Sequence, residues 1–189
     1  SFLIYSLTND NYKLDKNYGE LILANTINKE ISTLEITPVS YVTMENTRYK
    51  FEFISTNILY HGDIITITFP SSCSFDSDKY EITVNGEGNL SYSQVINSIT
   101  STDEGLMLEV KLQFKDETYK TQIGENIVLR VNNIINPSTT KPTETFAFDI
   151  KTSEGYAIEE YKQNIVVTMT NGHSFASSLI EAELPSINT

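Results

Sequence analysis

Gly172-His173-Ser174-Phe175-Ala176 is the one string in this sequence with the outline of a hydrolase nucleophile elbow. An elbow needs a strand entering and a helix leaving, so that the serine is held on a tight turn. The strand is present in Ile165-Val166-Val167-Thr168-Met169, but Ser177-Ser178-Leu179 follows without helical periodicity. The only other histidine, His61, lies 112 residues before His173, on the wrong side for the Ser, acid, His order of that fold. The expectation is a non-enzyme, with no catalytic residue assigned. Asp76-Ser77-Asp78 with Glu81, Asp103-Glu104 and Glu159-Glu160 offer hard oxygens to calcium. Calcium wants about six to eight oxygens converging on one point, and no D-x-D-x-D-G loop is written. Two distant histidines and the single Cys73 cannot build a structural zinc cage, so neither a metal nor a cofactor is expected.

Covalent modification has a firmer basis. Asn89-Leu90-Ser91 is an N-x-S acceptor in a glycine-rich loop; it carries a sugar if the chain is exported and is an ordinary loop asparagine if it is not. Asn136-Pro137-Ser138 is disqualified by its proline. Ser138, Thr139, Thr140 and Thr143 in the following loop are candidate O-glycan carriers by composition.

The elements that must position these groups are strands. Tyr49, Phe51 and Phe53 alternate with polar residues, as do Ile65, Ile67 and Phe69. Residues 80–84, 106–114, 127–131, 146–150 and 165–169 continue the period of two, rich in β-branched and aromatic side chains. Turn chemistry separates them at His61-Gly62-Asp63, Asn85-Gly86-Glu87-Gly88, Glu104-Gly105, Ile123-Gly124-Glu125 and Glu154-Gly155. Many strands without intervening helical patterns predict an all-β fold, an immunoglobulin-like antiparallel β-sandwich.

Of 189 residues, 25 are Asp or Glu and 13 Lys or Arg, a formal net charge of −12. Without a basic stripe to displace counterions, a nucleic-acid partner is excluded. No apolar run approaches the roughly 18 residues of a membrane span. Ser1-Phe2-Leu3-Ile4-Tyr5 lacks the basic start and cleavage site of a secretory signal, so export would require a signal upstream or already removed.

An internal repeat organises the chain. A shift of 144 residues lays Phe2 on Phe146, Thr8 on Thr152, Tyr12 on Tyr156 and Thr26 on Thr170. Asp10, Leu14 and Asp15 then fall on Glu154, Ile158 and Glu159, and Leu21-Ile22-Leu23 on Ile165-Val166-Val167. With one or two residues inserted, Ser32-Thr33-Leu34 meets Ser177-Ser178-Leu179. The pattern predicts a window onto a tandem array of units of about 145 residues. Residues 1–27 are the closing strands of a preceding or partner unit, 28–32 a linker, 33–170 a complete sandwich, 171–176 a linker and 177–189 the next opening strand. A unit of this size buries roughly two-thirds of its unfolded surface and can stand alone, whereas an isolated hairpin cannot. Phe2, Ile4, Leu21, Leu23 and Leu179 are therefore the expected interaction strands, paired within one polypeptide or donated between subunits.

Within the complete unit, Leu34-Glu35-Ile36-Thr37-Pro38 is followed by Gly62-Asp63-Ile64-Ile65-Thr66-Ile67-Thr68-Phe69-Pro70. Asn133-Ile134-Ile135-Asn136-Pro137-Ser138-Thr139-Thr140-Lys141-Pro142-Thr143, Phe146, Gly155-Tyr156 and Ile158-Glu159 come next. This succession resembles the repeat of multi-repeat, immunoglobulin-like extracellular surface or filament proteins of ciliates and some other protists. The resemblance implies an extracellular or cell-surface location and a structural or adhesive role, with no catalytic residues to carry over. Many such repeats pair cysteines in their middle strands, and the solitary Cys73 departs from that pattern. The expected function is a non-catalytic repeat of an extracellular filament or coat, joined to neighbouring copies of itself in a fibre and carrying attached glycans. The rival is an adhesin or lectin-like module reading a carbohydrate or receptor with its loops, an option weakened by the absence of Trp.

Overall fold

The computed structural model describes residues 4–7, 13–17, 29–75, 81–103 and 105–172, the first two segments and Lys29 by their backbone alone. The described residues form strands and turns with no helix, and no helix is long and apolar enough to cross a membrane. In chain order the strands are β1 (Ile4–Leu7), β2 (Lys13–Asn17), β3 (Lys29–Glu30), β4 (Thr33–Pro38), β5 (Asn46–Ile54) and β6 (Ile64–Pro70). They continue as β7 (Thr83–Gly86), β8 (Ser93–Thr102), β9 (Gly105–Lys111), β10 (Asn126–Ile135), β11 (Ala147–Lys151) and β12 (Ala157–Glu160).

Ten of these make one ladder, β3-β12-β11-β6-β9-β8-β7-β10-β5-β4, antiparallel except where β3 runs parallel to β12. The ladder folds over where β7 and β8 share only Val84↔Gln94 and Asn85↔Ser93. Two layers result, and the predicted antiparallel β-sandwich is the fold. β1 and β2 form a separate two-stranded sheet.

The period of two read from the sequence is the period of burial. Tyr49, Phe51 and Phe53 of β5 are fully buried against Ile65, Ile67 and Phe69 of β6 and Phe148 and Ile150 of β11. Aromatic rings carry the contact between layers. Phe51 meets Phe69 edge-on at 5.6 Å, and Phe53 meets Phe148 at 5.0 Å. Such pairs add about 0.5–1.5 kcal/mol each beyond the apolar area they cover.

Three details differ from the sequence reading. Residues 28–32 are not simply a linker: Lys29 and Glu30 pair with Glu159 and Glu160, and Ile31 is buried in the core. Residues 165–169 are a looser segment, held by Thr143 N–H to Val167 O and Phe146 N–H to Ile165 O. The ten-residue β8 has no counterpart among the expected strands, because a bulge between Ile96 and Ser98 breaks its alternation.

Gly105 closes the β8–β9 hairpin at φ +134°, and a Cβ there would meet the carbonyl oxygen of Phe69 on β6. Backbone packed that closely excludes every other residue.

The turn before β6 buries a carboxylate. Asp63 accepts a hydrogen bond from Tyr60 N–H at 2.8 Å, yet burial, aided by the negative Glu154, pushes its pKa up to about 6 from 3.8. With the folded pKa above the unfolded one, the native state binds the extra proton between these values, so this group's contribution to stability falls as pH rises from about 4 towards 6 and beyond. Asp63→Asn keeps an acceptor for Tyr60 and removes the titration. Relative to wild type, the variant should gain stability steadily over that window, by no more than about 3 kcal/mol. Urea midpoints of both proteins from pH 4 to 8 measure it, and parallel curves would refute the assignment.

Candidate functional site

The two hairpins of the repeat match in register, residue for residue. β1 and β2 pair Tyr5↔Lys16, Ser6↔Asp15 and Leu7↔Lys13, with a register shift between Ser6 and Leu7. β11 and β12 pair Asp149↔Glu160, Ile150↔Glu159 and Lys151↔Ala157, with a shift between Ile150 and Lys151. Adding 144 to every member of the first set gives the second, bulge included. Composition alone does not place a bulge, which reflects a particular local chain geometry. In the sandwich this hairpin lies between β6 and β3: β11 pairs along all five residues with β6, and β12 with β3. Of the expected interaction residues, Ile4 lies in β1; Phe2, Leu21, Leu23 and Leu179 lie outside the described residues.

On the inward side of the hairpin, Glu159 is completely buried. Its Oε1 accepts from Ser55 Oγ at 2.7 Å and Thr56 Oγ1 at 3.3 Å, tying β12 to the end of β5. Asp15 holds the matching position in the repeat, so an acid is kept there while its neighbours vary.

The chain enters and leaves at opposite ends of β5. Glu30 O accepts from Thr56 Oγ1, just beyond the C-terminal end of that strand. At the other end Thr43 N–H bonds Thr170 O, Thr170 N–H bonds Tyr41 O, and Gly172 N–H bonds Thr43 Oγ1 at 3.1 Å. Nine residues of β5 separate the two places, about 30 Å of extended chain. Each end exposes large apolar side chains: Tyr60, Ile123 and Tyr156 at entry, Val39, Tyr41 and Met44 at exit.

The exit end is organised by Asn136, a residue whose importance the sequence motif did not disclose. Its side chain is buried, with Oδ1 accepting from Tyr49 OH at 2.6 Å. Nδ2 donates to Ser40 O at 2.9 Å and Val42 O at 2.8 Å. One amide thus joins the core of β5, the end of β10 and the loop that receives the departing chain.

Asn89 is exposed, as an acceptor site needs, but its Nδ2 is engaged. It donates to Tyr119 OH at 2.7 Å and to Glu125 Oε1 at 3.4 Å. Burial alone would raise the pKa of Glu125, but the Tyr119 hydroxyl, Gln122 N–H and Asn89 amide together hold it lowered. A sugar on Nδ2 leaves one N–H and so one of the two bonds. Asn89 and Glu125 border a hollow of about 220 Å³ that also includes Glu87, Thr121 and Asn126.

Ser138, Thr139 and Thr140 are exposed and open to modification, whereas Thr143 is not. Its buried hydroxyl accepts from Val167 N–H at 3.0 Å, so Thr143 anchors the 165–169 segment instead of carrying a glycan. Glu159 and Glu160 do not converge, one being buried and the other exposed. Among the described residues no three His, Cys, Asp or Glu side chains gather as a metal site. Asp76, Asp78, Glu104, His173 and Ser174 lie outside the described residues. Cys73 is buried beneath the rim of β6, and its burial, with Glu144 adding to it, pushes the thiol up to about 11 against the hydrogen bond with Tyr49.

No protein-family model matches this chain, and no curated protein matches it. Among solved structures it is similar to BslA, a bacterial hydrophobin, at 17% identity and TM-score 0.42, over 74% of this chain and 97% of that one. It is similar to a non-cellulosomal cohesin from the archaeon Archaeoglobus fulgidus at 9% identity and TM-score 0.38, over 70% and 93%. An uncharacterized protein from Nocardia farcinica with an immunoglobulin-like fold is similar at 13% identity and TM-score 0.39, over 72% and 88%.

Proposed function

We propose that this chain is a structural, non-catalytic part of an extracellular filament or cell-surface coat, in which immunoglobulin-like sandwiches follow one another head to tail and strand pairs complete neighbouring sheets. The observation that carries this reading is the identity of register and bulge between β1–β2 and β11–β12. A hairpin of that kind is marginal by itself and gains stability from strands beside it, as β11 gains from β6. Entry and exit at opposite ends suit a string in which the pull passes along each sandwich. Apolar side chains at both ends give successive units something to bury. The −12 charge keeps the remaining surface hydrated and strings apart. Asn89, Ser138, Thr139 and Thr140 are the proposed glycan carriers, and neighbouring copies the proposed partners.

The adhesin or lectin-like reading rests on the hollow lined by Asn89 and Glu125, which Tyr119 bonds. It is the weaker of the two, because those polar groups already satisfy one another.

Electron microscopy of the protein from its native source tests the proposal. Filaments with an axial or helical spacing set by one sandwich are expected, and deletion of residues 1–27 should abolish or interrupt them. A stable monomer at high concentration, with both ends folded into its own core, would overturn the filament.

A further inference from the structure

Among the described residues β8 leaves one of its edges open. Val84↔Gln94 and Asn85↔Ser93 join its first residues to β7, and from Val95 to Thr102 it pairs only with β9 among the described residues. Proteins usually blunt such an edge with charge, proline or a bulge, since a row of unpaired backbone groups templates another strand. Here the bulge between Ile96 and Ser98 is the sole such device. From Asn89 to Thr102 no residue is charged, and none is Pro or Gly.

The uncovered edge is also apolar on its core-facing side. Ile99 stands directly opposite Leu108, which is fully buried, yet Ile99 is 41% exposed. Among the described residues β7, the strand of the opposing layer next to β8, spans only Thr83–Gly86 and pairs no further along β8 than Gln94. One further strand beside β8 would supply the missing backbone partners and cover Ile99 at once.

We infer that this strand is the β8 of a second copy, paired antiparallel about a two-fold axis at Thr100. A chain of net charge −12 repels its copies over most of its surface, and an uncharged edge is where two can meet without opposing like charges. Beyond the bulge the segment is self-complementary: Thr100 faces its own copy, Ile99 faces Ser101, and Ser98 faces Thr102. Thr–Thr and Thr–Ser cross-strand pairs are favourable in sheets. The contact joins sandwiches side by side, so it does not depend on the head-to-tail reading, and it would give a string of units a way to bundle laterally.

Thr100 is exposed, which makes it a clean probe. Sedimentation of the full chain should show a dimer that Thr100→Lys weakens by at least about tenfold, as two ammonium groups are brought face to face. Thr100→Glu should do the same, and an equimolar mixture of the two variants should restore dimers. Unchanged melting temperatures of the dilute variants will show that each still folds. Those backbone amides of residues 95–102 that do not bond β9 should, in wild type, exchange fast when dilute and slowly when concentrated. A monomer at every concentration, a dimer indifferent to both substitutions, a mixture without rescue, or equal exchange at all concentrations would each overturn the assignment.

Discussion

A chimera in which residues 146–170 are replaced by the sequence of residues 2–26 should fail to fold, and restoring three residues should rescue it. The shared register makes the outcome specific. Shifted by 144, Ser6 falls on Ile150, Asn25 on Met169 and Ile4 on Phe148. All three replaced residues are buried, at 0%, 2% and 2% exposure. Placing Ser and Asn in those positions loses apolar burial and strands polar groups, at about 3–4 kcal/mol apiece, with a smaller cavity cost for Phe→Ile. Their sum approaches the whole stability of a domain, typically about 5–15 kcal/mol. With Phe148, Ile150 and Met169 kept, the remaining exchanges fall mostly on exposed or conservative positions. Gly155, at φ +88°, becomes Asn, the other residue that tolerates this conformation. The rescued chimera should unfold cooperatively, with a loss of about 2–4 kcal/mol. A control shifted by one residue, which turns every side chain to the opposite face, should not fold. If the control folds as well as the rescued chimera, or neither folds, the two hairpins are not equivalent elements.

The same substitutions bear on what the first hairpin completes. In the proposed string, a sheet that accepts Ser6 where this sandwich demands Ile150 would have a different complement of core residues. Deleting residues 1–27 and testing filament continuity therefore probes a contact distinct from the β8 edge.

What could be read from the sequence was whatever lies in the core of two well-covered layers. β5, β9, β10 and β11 bury one face more deeply than the other, and that contrast is written as alternation; β6 keeps the alternation of Ile and Thr although Thr66 is buried too. The match of the two hairpins was legible because turn residues and aromatics kept their spacing over them. β8 was not legible: its bulge at Asn97 shifts the alternation by one, and Val95 and Ile99 remain half-exposed, so no clean face exists to be recognised. Nor did composition reveal which threonine of the 138–143 loop points inward. That depends on the 165–169 segment, which supplies the Val167 N–H that the Thr143 hydroxyl accepts. The glycan candidates were chosen on loop chemistry, and pairing between distant segments decides which of them are exposed.

Asn136 shows the same limit at the exit end, and replacing it should have one of the largest effects of any single change. Its partners are 87, 94 and 96 residues away in sequence, and no local pattern announces such an amide. Asn136→Ala removes three side-chain bonds and leaves the fully buried Tyr49 hydroxyl without its acceptor. Leaving that hydroxyl and the Ser40 carbonyl without their partner, and Val42 O with only Glu45 N–H at 3.4 Å, should cost about 3–5 kcal/mol. Tyr49→Phe removes the hydroxyl and only one bond, so it should cost about 1–2 kcal/mol. The two substitutions together should cost less than their sum, because a phenylalanine ring in that place has no hydroxyl left to strand. Asn136→Asp distinguishes bonding from shape. It keeps an acceptor for Tyr49 but turns an anionic oxygen towards the carbonyls of Ser40 and Val42, so it should be at least as harmful as Ala near neutral pH and recover in acid, where a protonated carboxyl can donate. The damage should be local before it is global. Amides of Thr43 and Thr170, which hold the departing chain to the 39–45 loop, should exchange faster in Asn136→Ala under native conditions, while those of β6 should exchange at a rate set by global unfolding. Unchanged exchange at Thr43 and Thr170 would mean that the loop is held by its own backbone contacts, and the exit end would then owe its shape to something other than this amide.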